Sequence, residues 1–138
     1  MALAPNYFYL PYNLGLVFQR MNRLDDAATQ FQLAQSRAPN RAEPITATAM
    51  LIARQGRSAD AISLLRQAKE MKNQETTAIQ AARHDLAFLL SADPKTLDEA
   101  IGLWRENGSY PSSQLSLADK LEGLGRGPEA QAVYGRHT

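Results

Sequence analysis

The chain has 138 residues, of which 44% are apolar and 21% charged, and its formal net charge is +1. That length predicts one compact domain or a short array, and the near-neutral charge offers no bulk attraction to a polyanion, so nucleic acid is not an expected partner. The absence of cysteine excludes disulfides, thiolate nucleophiles and cysteine-based zinc sites together, and fits cytoplasm and periplasm equally.

Residues 1–10 contain no basic run followed by an apolar core, so no secretory signal is read there. No segment approaches the ~18 consecutive apolar residues of a membrane helix. The expectation is a soluble chain without direct membrane insertion, its compartment undetermined.

In chain order, Pro11 can open a helix because its missing N–H is one that a first turn leaves unpaired. Leu14, Phe18 and Met21 follow at i, i+4 and i+7, which predicts an apolar stripe on that helix. Asn22 and Arg23 make a turn, and a second helix is expected from Leu24 to Arg37. On it Ala27, Phe31 and Ala34 share one face, two small residues around one large one. Pro39 ends the unit.

The same script returns about 34 residues later, a spacing within the range of stacked structural repeats. Pro44 is expected to start the next helix, Thr48-Ala49 stand for Leu14-Gly15, and Gly56 supplies the turn. Ala61, Leu65 and Ala68 form the second packing face. Thr48 is a slightly polar replacement that weakens this core. The period then slips: Ala100 follows Ala61 five positions late, and Ala130 follows Ala100 four positions early. About four extra residues precede Leu86-Ala87, close to one helical turn of ~3.6, so the helix there can lengthen without rotating its buried face. The remaining one falls in the turn Ala92-Asp93-Pro94-Lys95. Asn107-Gly108 is expected to end the following helix early. Leu117-Ala118, Leu121, Gly125, Ala130 and Tyr134 then restore the script.

A fixed period of this kind marks a repeat architecture. The residues Leu14, Gly15, Phe18, Ala27, Phe31, Ala34 and Pro39, with their later counterparts, resemble the tetratricopeptide repeat across essentially the whole chain. The resemblance implies an all-α fold, an α-solenoid in which helix–turn–helix units stack into a right-handed superhelix. Its units would be 8–41, 42–75, a degenerate 76–110 and a truncated 111–138. Pro5 falls where the terminal proline of a preceding unit would lie, and the chain stops at His137-Thr138 within a second helix. The expectation is therefore a segment of a longer protein, or a small one whose ends are covered by self-association.

No catalytic, metal or cofactor site is expected. His84 and Asp85 are sequence neighbours and point about 100° apart on a helix, so they make no dyad by themselves. Asp25-Asp26 and Asp98-Glu99 suit the positive end of a helix dipole. The stretch Gly123-Leu124-Gly125-Arg126-Gly127 lacks the preceding strand of a phosphate loop and reads as an inter-helix turn. Arg23, Arg57, Lys95 and Arg126 recur at the turns, with Asp25, Asp60, Asp98 and Glu129 soon after, and local charge pairing accounts for them.

In the resembled family the first helices line a concave surface that holds an extended peptide or a partner's helix. The positions this implies here are Tyr9, Tyr12, Leu16, Gln19 and Arg20, then Thr46, Met50 and Arg54, then His84, Phe88 and Ser91, then Leu115, Asp119 and Glu122. Packing between adjacent helices is the competing role for Leu16, Met50 and Phe88. The clamp that some such domains close on a chaperone's terminal carboxylates would need basic or amide residues at Tyr12, Leu16, Ala47, Ala81 and Asp85, and none fits. The expected function is a non-enzymatic protein–protein interaction scaffold with a peptide or protein partner. The alternative is a self-assembly module, a homo-oligomer stacking end to end through Tyr7, Phe8, Val133 and Tyr134.

Overall fold

The computed structural model describes residues 7–135, and within them the fold is all-helical. Pro5 and His137 lie outside the described residues, so the readings placed on them stay there. Eight α-helices follow in order among the described residues: α1 (Tyr9–Arg20), α2 (Leu24–Arg37), α3 (Ala42–Arg54), α4 (Ser58–Lys69), α5 (Thr76–Leu90), α6 (Leu97–Glu106), α7 (Pro111–Gly123) and α8 (Gly127–Gly135). A short 3-10 helix, Pro94–Thr96, leads into α6. None of these helices is long and apolar enough to cross a membrane. The chain divides within α5 into two compact units, one up to Ala82 and one from Arg83.

In the first unit, α1 packs on α2, α3 on α4, and α2 on α3. Both hairpins close through the same three-residue turn. A residue with positive φ sits at its centre, Asn22 at 60° and Gly56 at 84°, where glycine and asparagine are tolerated best. The next amide then reaches back across the helix end, Arg23 N–H to Phe18 O at 2.8 Å and Arg57 N–H to Ile52 O at 3.0 Å. Such bonds satisfy carbonyls that the end of a helix leaves open. Each turn arginine pairs with a carboxylate three residues on, Arg23 with Asp26 at 2.8 Å and Arg57 with Asp60 at 3.0 Å. Asp26, not its neighbour Asp25, faces Arg23. Local pairing is therefore what these arginines do.

The expected small-large-small faces are fully buried: Ala27, Phe31 and Ala34 on α2, and Ala61, Leu65 and Ala68 on α4. Gly15 has a steric reason to be glycine. A Cβ there would lie 2.5 Å from the Phe31 ring, well inside van der Waals contact. At the corresponding pair, Ala49 and Leu65, a methyl group stands where Gly15 has none and a smaller side chain stands where Phe31 has its ring. Because α2 approaches α1 over Gly15, the buried side of α1 is Phe8, Pro11 and Gly15, with Tyr12 and Phe18 half-buried. The expected stripe was Leu14, Phe18 and Met21. Leu14 and Met21 face outward instead.

Helices α1 and α3 begin two residues ahead of the prolines expected to open them. Pro11 and Pro44 sit third in their helices, where an N–H is still not required. Gln74, beyond α4, ties back to the segment that joins the two hairpins. Its Oε1 accepts from Ala42 N–H at the start of α3 at 2.9 Å, and its Nε2 donates to Asn40 O and Lys72 O.

The second unit repeats the hairpin at α7 and α8. Gly125 has φ 76°, Arg126 N–H donates to Leu121 O at 2.8 Å, and Arg126 pairs with Glu129 at 2.7 Å. Helix α5 does lengthen, to 15 residues against 12 in α1 and 13 in α3. The turn after it also differs, because Pro94 cannot donate and the chain turns through the 3-10 helix, with Asp93 accepting from Lys95 N–H. Asn107 ends α6 as expected.

Candidate functional site

The expected binding residues fall in both units, and local clefts occur in each. In the first, Leu16, Gln19 and Arg20 of α1 and Arg54 of α3 line a cleft of about 260 Å³. Arg54 is held there by hydrogen bonds to Gln19 O at 3.4 Å and Asn22 Oδ1 at 3.3 Å. Its guanidinium has five N–H groups, so donors remain for a guest. Leu16 and Tyr12 also pack against the cluster of Ala27, Phe31, Ala47 and Leu51, which for Leu16 is the packing role weighed against binding. Met50 is half-buried.

Thr46 does not belong to an accessible face. It is buried on α3, and its hydroxyl has no hydrogen-bond partner there. The period that aligns it with Tyr12 sets direction but not depth, and a short side chain at that position sinks between helices. Tyr9 is exposed but engaged. Its hydroxyl accepts from Arg41 at 3.1 Å, and the Arg41 guanidinium lies 4.8 Å from the Phe8 ring centroid and 5.7 Å from that of Tyr9. The hydrogen bond to Glu43 is the main cause that raises the Arg41 pKa still further, so the cation is permanent. Arg41 escaped sequence reasoning because its ring partners, Phe8 and Tyr9, belong to the preceding hairpin and lie far from it along the chain.

In the second unit, Phe88 and Asp119 line one cleft of about 440 Å³ together with Ser91, Trp104, Ser116, Lys120 and Leu124. Trp104 is buried, and its indole N–H has no acceptor among the described residues. Asp119 accepts from the Tyr134 hydroxyl at 3.2 Å. A second cleft of about 360 Å³ runs between α7 and α8, with Leu115 and Tyr134 on its walls. Phe8 and Val133, expected as open contacts for self-association, are buried. Phe8 packs with Ala34 and Ala38, whereas Tyr7 is exposed.

His84 points into a polar cluster. Its Nδ1 is 2.9 Å from Ser113 Oγ, which also accepts from Asn107 Nδ2 at 3.1 Å. Gln114 Nε2 donates to the carbonyls of Trp104 and Asn107, closing the end of α6 much as Gln74 serves the start of α3. Burial lowers the His84 pKa, and burial raises that of Asp85 to about 6. A histidine beside a serine hydroxyl is the start of a nucleophilic pair. Here Ser113 is fully buried, so no substrate carbonyl can reach it. The cluster acts as a packed polar core. Among the described residues, no group of three or more metal-ligating side chains converges.

No protein-family model matches the chain, and no curated protein matches it.

Proposed function

We propose that the chain is a non-catalytic protein–protein interaction scaffold of the tetratricopeptide kind, an α-solenoid whose first helices hold a peptide or a partner's helix on their inner faces. The observation that carries this reading is the same arginine-closed hairpin made three times, each with its central alanine buried. Repeated hairpins of one geometry present equivalent helix faces side by side, and such faces suit an extended guest. The chemistry of the two clefts fits a peptide. Arg54 and Arg20 offer donors beside Leu16 in one. In the other, aromatic and aliphatic walls stand around Ser116 and Lys120, whose hydroxyl and ammonium suit a peptide's backbone carbonyls.

Peptides selected from a random display library against the intact chain provide the test. Tyr12→Ala, Met50→Ala and Arg54→Ala should each weaken the selected binders of the first unit by about tenfold, the scale of one lost contact of ~1.4 kcal/mol. Unchanged binding in all three, with folding intact, contradicts the assignment of this face.

A further inference from the structure

The arginines of the first unit are not all engaged alike. Arg23, Arg41 and Arg57 each hold a carboxylate, on Asp26, Glu43 and Asp60. Arg20 and Arg54 differ. They are the last residues of α1 and α3, one period apart in the sequence, and they line one cleft of about 260 Å³ with Leu16 and Gln19. Neither makes an ion pair among the described residues. Helix α1 contains no acidic residue. The one carboxylate of α3, Glu43, lies near its opposite end, about 16 Å from Arg54 along the helix axis, where Arg41 holds it.

Arg54 is also placed. It donates to Gln19 O and Asn22 Oδ1, neutral acceptors in the preceding hairpin. Gln19 O is among the last carbonyls of α1, where the backbone carries partial negative charge. The guanidinium therefore offsets the field that would turn an anion away. A cation at the end of each helix is explained by that same field. The reach of Arg54 across to the end of α1, into the cleft that Arg20 shares, is not.

We propose that this cleft is an anion subsite, and that its occupant is the side-chain carboxylate of an acidic peptide. The inference rests on the peptide-binding reading of the first unit and gives that guest its charge. Each guanidinium has five N–H donors in a planar fork that matches the two oxygens of a carboxylate. Leu16 supplies an apolar wall for the neighbouring side chain of the guest. The cleft is smaller than the ~300 Å³ at which sites for drug-sized molecules begin, so it takes a residue or two of a longer chain. Both arginines are exposed, so salt screens them and either one alone contributes little. Preference for an acidic guest comes from the two acting in one cleft.

The probes are two blocked tetrapeptides, acetyl-Leu-Glu-Glu-Leu-amide and its neutral counterpart acetyl-Leu-Gln-Gln-Leu-amide. Each is titrated to about 10 mM into the intact 15N-labelled chain at about 50 mM salt. The acidic peptide should shift the Arg20 and Arg54 Nε–H signals along a saturating curve, and the neutral one should bind at least about tenfold more weakly. Arg20→Gln and Arg54→Gln should each weaken the acidic peptide about fivefold. Arg57→Gln, at an arginine already paired with Asp60, should leave it unchanged. Circular dichroism verifies that the variants fold. Equal binding of the two peptides overturns the inference and leaves the peptide-binding reading standing. Sodium acetate that matches the acidic peptide at equal carboxylate concentration also overturns it, because the cleft would then hold any small anion. If neither peptide moves these signals the inference fails, and the dependence of library-selected binders on Tyr12 and Met50 decides the peptide-binding reading separately.

Discussion

The two units use one hairpin script and fill its interior differently. In the first, the last small position of the second helix is alanine in both hairpins, Ala34 and Ala68, and the packing around it is apolar. In the second, the residue seven beyond Ala100 is Asn107. It is fully buried and bonded into a cluster with Ser113, Gln114 and His84. The period lengthens and then shortens on either side of this residue, so α6 ends at Glu106. A helix that stops early leaves carbonyls to be satisfied. Gln114 is the side chain that meets that demand, donating to Trp104 O and Asn107 O, while Asn107 donates to Ser113 Oγ. Where the period holds, the interior is apolar but for Thr46. Where it slips, the freed backbone brings polar side chains inside.

Three substitutions would break or sharpen this contrast, taken from the largest effect to the smallest. Asn107→Ala removes the donor to Ser113 and leaves a cavity, and should cost about 3 kcal/mol in urea unfolding. The polar-core account fails if it is neutral.

Gly15→Ala should cost about 2 kcal/mol, because the added methyl meets a fully buried ring that has little room to move. Adding Phe31→Leu reproduces the Ala49 and Leu65 pair of the second hairpin. The double variant should lose less than the two single costs combined. Simple additivity would mean that Gly15 and Phe31 do not share the space assigned to them.

The third substitution is Asp85→Asn, read against pH. Burial raises the folded-state pKa of Asp85 from 3.8 to about 6, so the folded state holds this proton more tightly than the unfolded state does. Stability from this group is complete below about pH 4 and is lost as pH rises through about 6. The variant should therefore match the wild type near pH 4. It should exceed it above pH 6.5, by on the order of 2 kcal/mol. His84, whose pKa burial lowers, acts with the opposite sign, contributing stability as pH rises towards 6.5. It remains in both chains, so the difference between them isolates Asp85. A difference that does not change with pH would place the Asp85 carboxyl in water.

Much of the hairpin geometry was legible in the sequence. The bounds of α2, the turns at Asn22, Gly56 and Gly125, the lengthening of α5 and the stop at Asn107 all follow from spacing and from a few turn residues. Which side of α1 lies inward did not follow. Leu14 is the more apolar residue, but the close approach over Gly15 turns it outward. The depth of Thr46 and the burial of Phe8 and Val133 were equally hidden, because a periodic pattern fixes direction around a helix and says nothing of what stands opposite. Arg41, Gln74 and Gln114 were missed for a related reason. Each acts on backbone or rings brought near by folding, and a lone polar residue gives no local signal of that.

Shift mapping by NMR tests the binding account most directly, with the intact 15N-labelled chain titrated with a library-selected peptide. The account predicts changes gathered on an inner face, at Leu16, Gln19, Arg20 and Arg54, or at Phe88, Ser116 and Lys120. Changes confined to the exposed sides of α2 and α4, with those groups silent, would contradict it.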